Sequence, residues 1–108
     1  MISFEAITKL FSFDLQGKYC IEIEFSIMDS SKYQSCGMGK MPDKENIGKD
    51  LYWFGLMPDG SEEFSYDNFQ DFSCAPVFDG KSLKEIWSKI EILEIDGCDP
   101  EERFYAYL

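Results

Sequence analysis

Histidine is absent from these 108 residues, and arginine occurs once, at Arg103. Each absence removes chemistry. Without histidine there is no Ser-His-Asp or Cys-His arrangement, no imidazole base titrating near neutral pH and no imidazole metal ligand. A single guanidinium leaves no multi-arginine clamp for phosphates or substrate carboxylates. Catalysis by lysine, tyrosine or carboxylate passes this test. No apolar run approaches the ~20 residues of a membrane span. Met1–Glu5 has neither the basic nor the apolar part of a signal peptide. The four cysteines (Cys20, Cys36, Cys74 and Cys98) contain no Cys-x-x-Cys pair. Zinc knuckles are therefore not expected, and reduced thiols in a cytoplasmic chain are. Neither glycine-rich phosphate motif is present, and Cys36-Gly37-Met38-Gly39 reads as a flexible loop.

What is abundant is acid. The formal net charge is −11, and it is unevenly spread. Residues 1–49 hold six lysines against seven acids, whereas residues 50–108 hold four basic residues against fourteen acids. Such a field repels nucleic acid and anionic membrane, so neither is expected as a direct partner; its complement is a basic protein or a cation. Apolar content of 44% and aromatic content of 17% are values of a chain with a packed core, and the length fits one domain, 1–108.

The two properties meet in Asp50–Gly80. This stretch has no basic residue, seven carboxylates and eight aromatics, among them Tyr52, Trp53, Phe54, Phe64, Tyr66, Phe69, Phe72 and Phe78. A disordered acidic tail lacks the aromatics, and a plain core strand lacks the carboxylates. Trp53 and Phe54 are assigned to the core; Tyr66, Phe69 and Tyr107 suit core or interface equally.

Along the chain, Ser3 followed by Phe4, Ile7 and Phe11 predicts a helix over 2–10, and alternation at Phe11, Phe13 and Leu15 predicts a short strand closed by Gln16-Gly17. Strict alternation from Tyr19 to Met28 predicts the clearest strand, with Glu22 and Glu24 on a wet or partner-facing side. Asp29–Lys49, with its glycines, Pro42 and four lysines, reads as an exposed loop of unusual length. Leu51–Met57 reads as a central strand with Gly55 at a bulge or close approach, and Pro58-Asp59-Gly60 as a turn. Glu62–Phe69 returns as a strand, and Phe72–Phe78 is a further strand candidate that Pro76 pushes to an edge. Ser82-Leu83-Lys84-Glu85 is a capping box opening a helix over roughly 83–90. Ile92–Ile95 then reads as a strand, Asp96–Pro100 as a loop and Arg103–Leu108 as a terminal strand. The fold class expected is α+β: one antiparallel sheet with one or two helices packed on one face.

Paired carboxylates recur, at Glu22/Glu24, Glu62/Glu63, Asp67/Asp71 and Asp99/Glu101/Glu102, but 21 acids make such pairs by chance. A glycosidase pair and a calcium loop at Asp96–Glu102 are both set below an exposed acidic surface, the latter because the EF-hand pattern is missing. No cofactor, no metal and no enzymatic activity are expected. Cys20 and Cys74 are assigned to the core, Cys36 and Cys98 to exposed loops. The remaining candidate is a partner-binding surface of Asp59, Glu62, Glu63, Asp67 and Asp71, with Tyr66 and Phe69 as aromatic anchors. Its carboxylates would imitate the phosphates of a nucleic-acid backbone toward a basic protein.

In this acidic, aromatic-rich Asp50–Gly80 segment within a short chain lacking a catalytic constellation, the protein resembles the small acidic immunity proteins of bacterial toxin systems, including those of contact-dependent growth inhibition. The resemblance implies an antitoxin that binds a cognate toxin domain, often a basic nuclease, and occludes its active site or substrate groove. The alternative is a structural or regulatory interaction module, dimerising through a sheet edge such as Arg103–Leu108.

Overall fold

The computed structural model describes residues 2–13 and 20–107. Helix α1 (Phe4–Phe11) starts where Ser3 accepts a hydrogen bond from the Ala6 amide at 3.1 Å, and it turns Ile7, Leu10 and Phe11 into the core. Five strands follow: β1 (Ile21–Ile27), β2 (Cys36–Pro42), β3 (Asp50–Gly55), β4 (Glu63–Tyr66) and, late in the chain, β5 (Ile90–Ile95). Helix α2 (Phe69–Cys74) and helix α3 (Leu83–Ile86), the latter continued by a 3₁₀ turn at Trp87–Lys89, lie between β4 and β5; helix α4 (Pro100–Tyr107) ends the chain. The sheet order is β4-β3-β2-β1-β5, and every neighbouring pair is antiparallel. The class is α+β, as the sequence patterning predicts.

The helices share one face of this sheet. Ile21, Ile23, Phe25 and Ile27 of β1, Met38 of β2 and Phe54 of β3 form one buried cluster with Ile7, Phe11, Phe72, Leu83 and Ile86 from the helices. Phe54 and Phe72 stack at 4.2 Å and 12°, fixing α2 over β3. The capping box forms as expected: Ser82 Oγ accepts from the Glu85 amide at 3.2 Å, and the Ser82 amide donates to Glu85 at 3.1 Å. The helix it opens is shorter than 83–90, because the chain tightens into the 3₁₀ turn and enters β5 at Ile90.

Four expectations are corrected. Asp29–Lys49 is not a loop throughout: its middle is β2, the central strand of the sheet, and β3 is one strand in from the edge. Phe72 opens no strand but belongs to α2, because the Asn68 side chain accepts from the Asp71 amide at 2.8 Å and caps a helix there. Arg103–Tyr107 is helical, with Pro100 in the first helical position and Asp99 accepting from the Glu102 amide at 3.2 Å. The dimerisation edge placed at Arg103–Leu108 therefore has no strand among its described residues; the sheet ends at β4 and β5. Phe11 is the last residue of α1, so the strand assigned to Phe11–Leu15 does not begin there; Leu15 and the Gln16-Gly17 turn lie outside the described residues.

Lys40 explains why β2 breaks the apolar pattern. It points into the protein and is buried. Its ammonium donates to the carbonyls of Phe11 at 2.8 Å and Phe13 at 2.7 Å, sits 3.6 Å from the Asp50 carboxylate and lies 5.4 Å from the Tyr52 ring centre. Carbonyls at a helix C-terminus carry partial negative charge and lack intrahelical donors, so a cation there satisfies them. Burying an ammonium alone costs several kcal/mol, which these partners offset.

Helix α4 has no fully buried residue. It is held by Phe13 stacked on Tyr107 at 6.0 Å and by Asp96. One Asp96 oxygen accepts from the Glu22 amide at 2.9 Å; the other accepts from Arg103 at 3.0 Å and from the Tyr107 hydroxyl at 2.5 Å. Burial, followed by the hydrogen bond to Asp96, pushes the Tyr107 phenol up to about 12.

Two outcomes follow from these contacts. Lys40→Met keeps the apolar stem and removes the charge, leaving both carbonyls and Asp50 without their donor; urea unfolding should show a loss of about 2–4 kcal/mol. For Tyr107, a folded-state pKa above the unfolded value near 10 means its contribution is complete below pH 10 and disappears as pH rises toward 12. An absorbance titration at the tyrosinate band should show a late phenol whose ionisation coincides with loss of α4 helicity, and Tyr107→Phe should abolish that phase while the raised phenols of Tyr52 and Tyr66 remain.

Candidate protein-binding surface

The residues singled out from the sequence do not gather on one face. Asp59 lies in the exposed turn after β3, where hydrogen bonding from Ser61 holds its carboxyl below the usual range. Glu62 is partly covered and stands 3.5 Å from Lys32, which also approaches Asp79 at 3.5 Å. Glu63 is exposed at the start of β4, on the side of the sheet away from the helices. Asp67 is exposed. Asp71 is exposed as well, though its carboxylate accepts from the Asn68 side chain at 3.0 Å. Tyr66 and Phe69 turn the other way. Tyr66 packs at 6.3 Å from Phe54, and burial pushes its phenol up. Phe69 meets Phe11 at 5.6 Å and Phe72 at 5.8 Å. Both anchors are thus partly buried members of the core. Tyr107 likewise packs against it.

The open side of the sheet carries a different set. Strand alternation puts Glu22 and Glu24 of β1 there, with Gly37, Gly39 and Met41 of β2, Leu51, Trp53 and Gly55 of β3 and Glu63 of β4; on β5 the irregularity opposite Glu24 and Phe25 brings both Glu91 and Glu94 to this side. Register aligns them in rows. One row runs Glu94, Glu24, Gly37, Gly55, Glu63 across all five strands. The next runs Glu22, Gly39, Trp53, Ser65. Two adjacent glycines thus sit between carboxylates on both sides. Trp53, expected in the core, lies half-buried on this open side instead. Its indole leans over β2: a Cβ on Gly39 would come within 2.8 Å of the ring, and one on Gly37 within 3.3 Å. Glycine is required at 39 because the backbone carbonyl of Ile21 on β1, together with the indole, occupies the space a side chain would take. Gly55 shows no register shift against either neighbour, so no bulge occurs there.

Beside the ring is a cavity of about 280 Å³ whose lining includes Glu22, Glu24, Gly37, Trp53, Gly55 and Met57. No lysine or arginine occupies an outward strand position, and among the described residues none forms an ion pair with Glu22, Glu24, Glu63, Glu91 or Glu94. Among the described residues no group of three or more cysteines and carboxylates is placed to hold a metal, and no helix is long and apolar enough to cross a membrane. The cysteine assignments are revised: Cys36 is buried on the inner face of β2, which pushes its thiol up to about 11, whereas Cys20 and Cys74 are exposed, as is Cys98. Comparison with family models, curated proteins and solved structures finds no match.

Glu22 and Glu24 were legible as the wet side of β1. Their neighbours were not, because the pairing of Gly37-Met38-Gly39 with Trp53 is a cross-strand relation. Its one trace in the sequence is glycine at period two. Gly39→Ala should push β1 and β2 apart at the Ile21 carbonyl as well as displace the indole, costing about 3 kcal/mol or more in urea unfolding and red-shifting tryptophan emission, while Gly55→Ala, which meets no atom closer than 3.9 Å, should cost nothing measurable.

Proposed function

We propose that this chain is a binding protein for a basic protein partner, and that it docks through the open face of its sheet. The observation that carries the reading is the row Glu94-Glu24-Gly37-Gly55-Glu63 beside Trp53, with no basic residue at any outward strand position. Like charges crowded on one face raise the energy of the free protein and are relieved by a cationic surface. Glu22 and Glu24, two residues apart on one strand, are separated by roughly 6–7 Å along it, so the face offers regularly spaced negative charge toward a groove built for a polyanion. Trp53 supplies the aromatic area that dominates binding energy at such interfaces.

The partner we propose is a toxin domain, a nuclease with a basic substrate groove, which the chain would occlude as an immunity protein. This partner follows from the resemblance in overall character; the face supports the coarser statement of a basic protein. Among the sequence candidates, Glu63 belongs to the face, whereas Asp71 is carried by α2 on the helix side of the sheet.

Co-expression with the C-terminal domain of the protein encoded immediately upstream of this chain tests the reading. The wild-type chain should restore growth and form a complex that weakens with salt. The triple variant Glu22→Gln/Glu24→Gln/Glu63→Gln should slow association about tenfold or more and flatten the salt dependence. A harmless neighbour that forms no complex defeats the toxin assignment. A complex indifferent to salt and to the triple variant defeats the face.

A further inference from the structure

We infer that the cavity beside Trp53 is a receptor for an arginine side chain of the basic partner. This deepens the reading above and rests on it: the open face must first be the docking face.

Gly55 stands apart from the other glycines. The other glycines of the described chain have local reasons to be glycine. Gly48, Gly60, Gly80 and Gly97 have positive φ, and Gly37 and Gly39 lie under the Trp53 ring. Gly55 has neither reason. Its φ is ordinary, and an added Cβ would meet nothing closer than 3.9 Å. A glycine inside a strand weakens it and forgoes a side chain that could pack. At Gly55, the last residue of β3, neither backbone conformation nor a close contact calls for glycine. The missing side chain instead keeps the cavity floor open between Gly37 and the turn at Met57.

The walls define the occupant. Glu22 and Glu24 line the cavity and have no cationic partner among the described residues. An apolar side chain would bury those carboxylates without compensation, which is unfavourable. A cation satisfies them. The indole reaches over Gly39 and Gly37 and is only half-buried, so part of the ring is open to a cation in the cavity beside it. Arginine fits this combination better than lysine. Its planar fork pairs with a carboxylate through two hydrogen bonds while its plane stacks on an aromatic ring; an ammonium is a more strongly hydrated point charge that does neither.

The test uses the whole chain carrying Trp87→Phe, so that Trp53 is the one tryptophan reporting. Hexa-arginine amide and hexa-lysine amide are titrated at low salt while Trp53 emission is followed. Hexa-arginine should change the emission saturably and bind about fivefold to tenfold tighter than hexa-lysine. Gly55→Val fills the floor at unchanged net charge and suits a strand; it should weaken hexa-arginine about tenfold while keeping the urea midpoint. Gly55→Ala takes its place if the valine variant loses its cooperative melt. Glu22→Gln/Glu24→Gln should weaken hexa-arginine by a similar factor.

The outcomes separate the two readings. Salt-sensitive binding that leaves Trp53 emission unchanged, or that Gly55→Val and Gly55→Ala do not weaken, overturns the receptor and leaves the acidic face standing. Equal affinity for the two peptides overturns the arginine assignment. Failure of both peptides to bind at low salt overturns the receptor and the face together.

Discussion

The buried ammonium of Lys40 is the contact on which the arrangement of this protein depends. It joins the end of α1 to the middle of the sheet through two carbonyls, Phe11 and Phe13, and joins β2 to β3 through Asp50. Its consequence reaches the opposite side of the sheet. Side chains alternate along a strand, so a lysine turned inward at 40 turns Gly39 and Gly37 outward. A slip of one residue would expose the lysine and bury the glycines. The buried cation and the glycine floor under Trp53 are therefore two readings of a single register.

That coupling divides the sheet into two working sides. The inner side is conventional: aliphatic β1 residues, the stacked Phe54–Phe72 pair and three short capped helices close a dry core. The outer side carries few apolar groups, chiefly the indole of Trp53 and the paired Met41 and Leu51. It concentrates five glutamates from three strands without an internal counter-charge. Self-repulsion on such a face destabilises the isolated fold slightly and favours association with a basic surface. The tight Asp96 network at the end of β5 holds α4 and the start of β1 together, and so keeps Glu22 and its row in place.

The elements that were legible in the sequence are those whose signals are local. Ser3 and the Ser82–Glu85 box are helix starts written within four residues, and Ile21–Ile27 alternates without a break. Local signals were also present, and misread, at Asn68 and at Asp99-Pro100-Glu101-Glu102. There, a capping side chain and a proline in the first turn override the aromatic content of Phe72–Phe78 and the alternation at Arg103–Leu108. β2 is a different case. Its inward residues are Cys36, Met38 and Lys40, and its outward ones are mostly glycine, so its hydrophobic pattern is nearly erased. What makes it a strand is hydrogen bonding to β1 and β3 on either side.

The sequence by itself determined the acidic character, the absence of imidazole chemistry, the α+β class and the two-faced nature of β1, because composition and short-range periodicity carry those properties. Only the tertiary structure decided which acids act together. Glu94, Glu24, Gly37, Gly55 and Glu63 are scattered over more than half the chain and become one row through strand pairing. Tyr66 and Phe69, close in sequence to many acids, were drawn into the core by the aromatic rings opposite them, while Trp53, flanked by core residues, was left outside. A residue's side of a sheet is set by register, and register is a property of strand pairs.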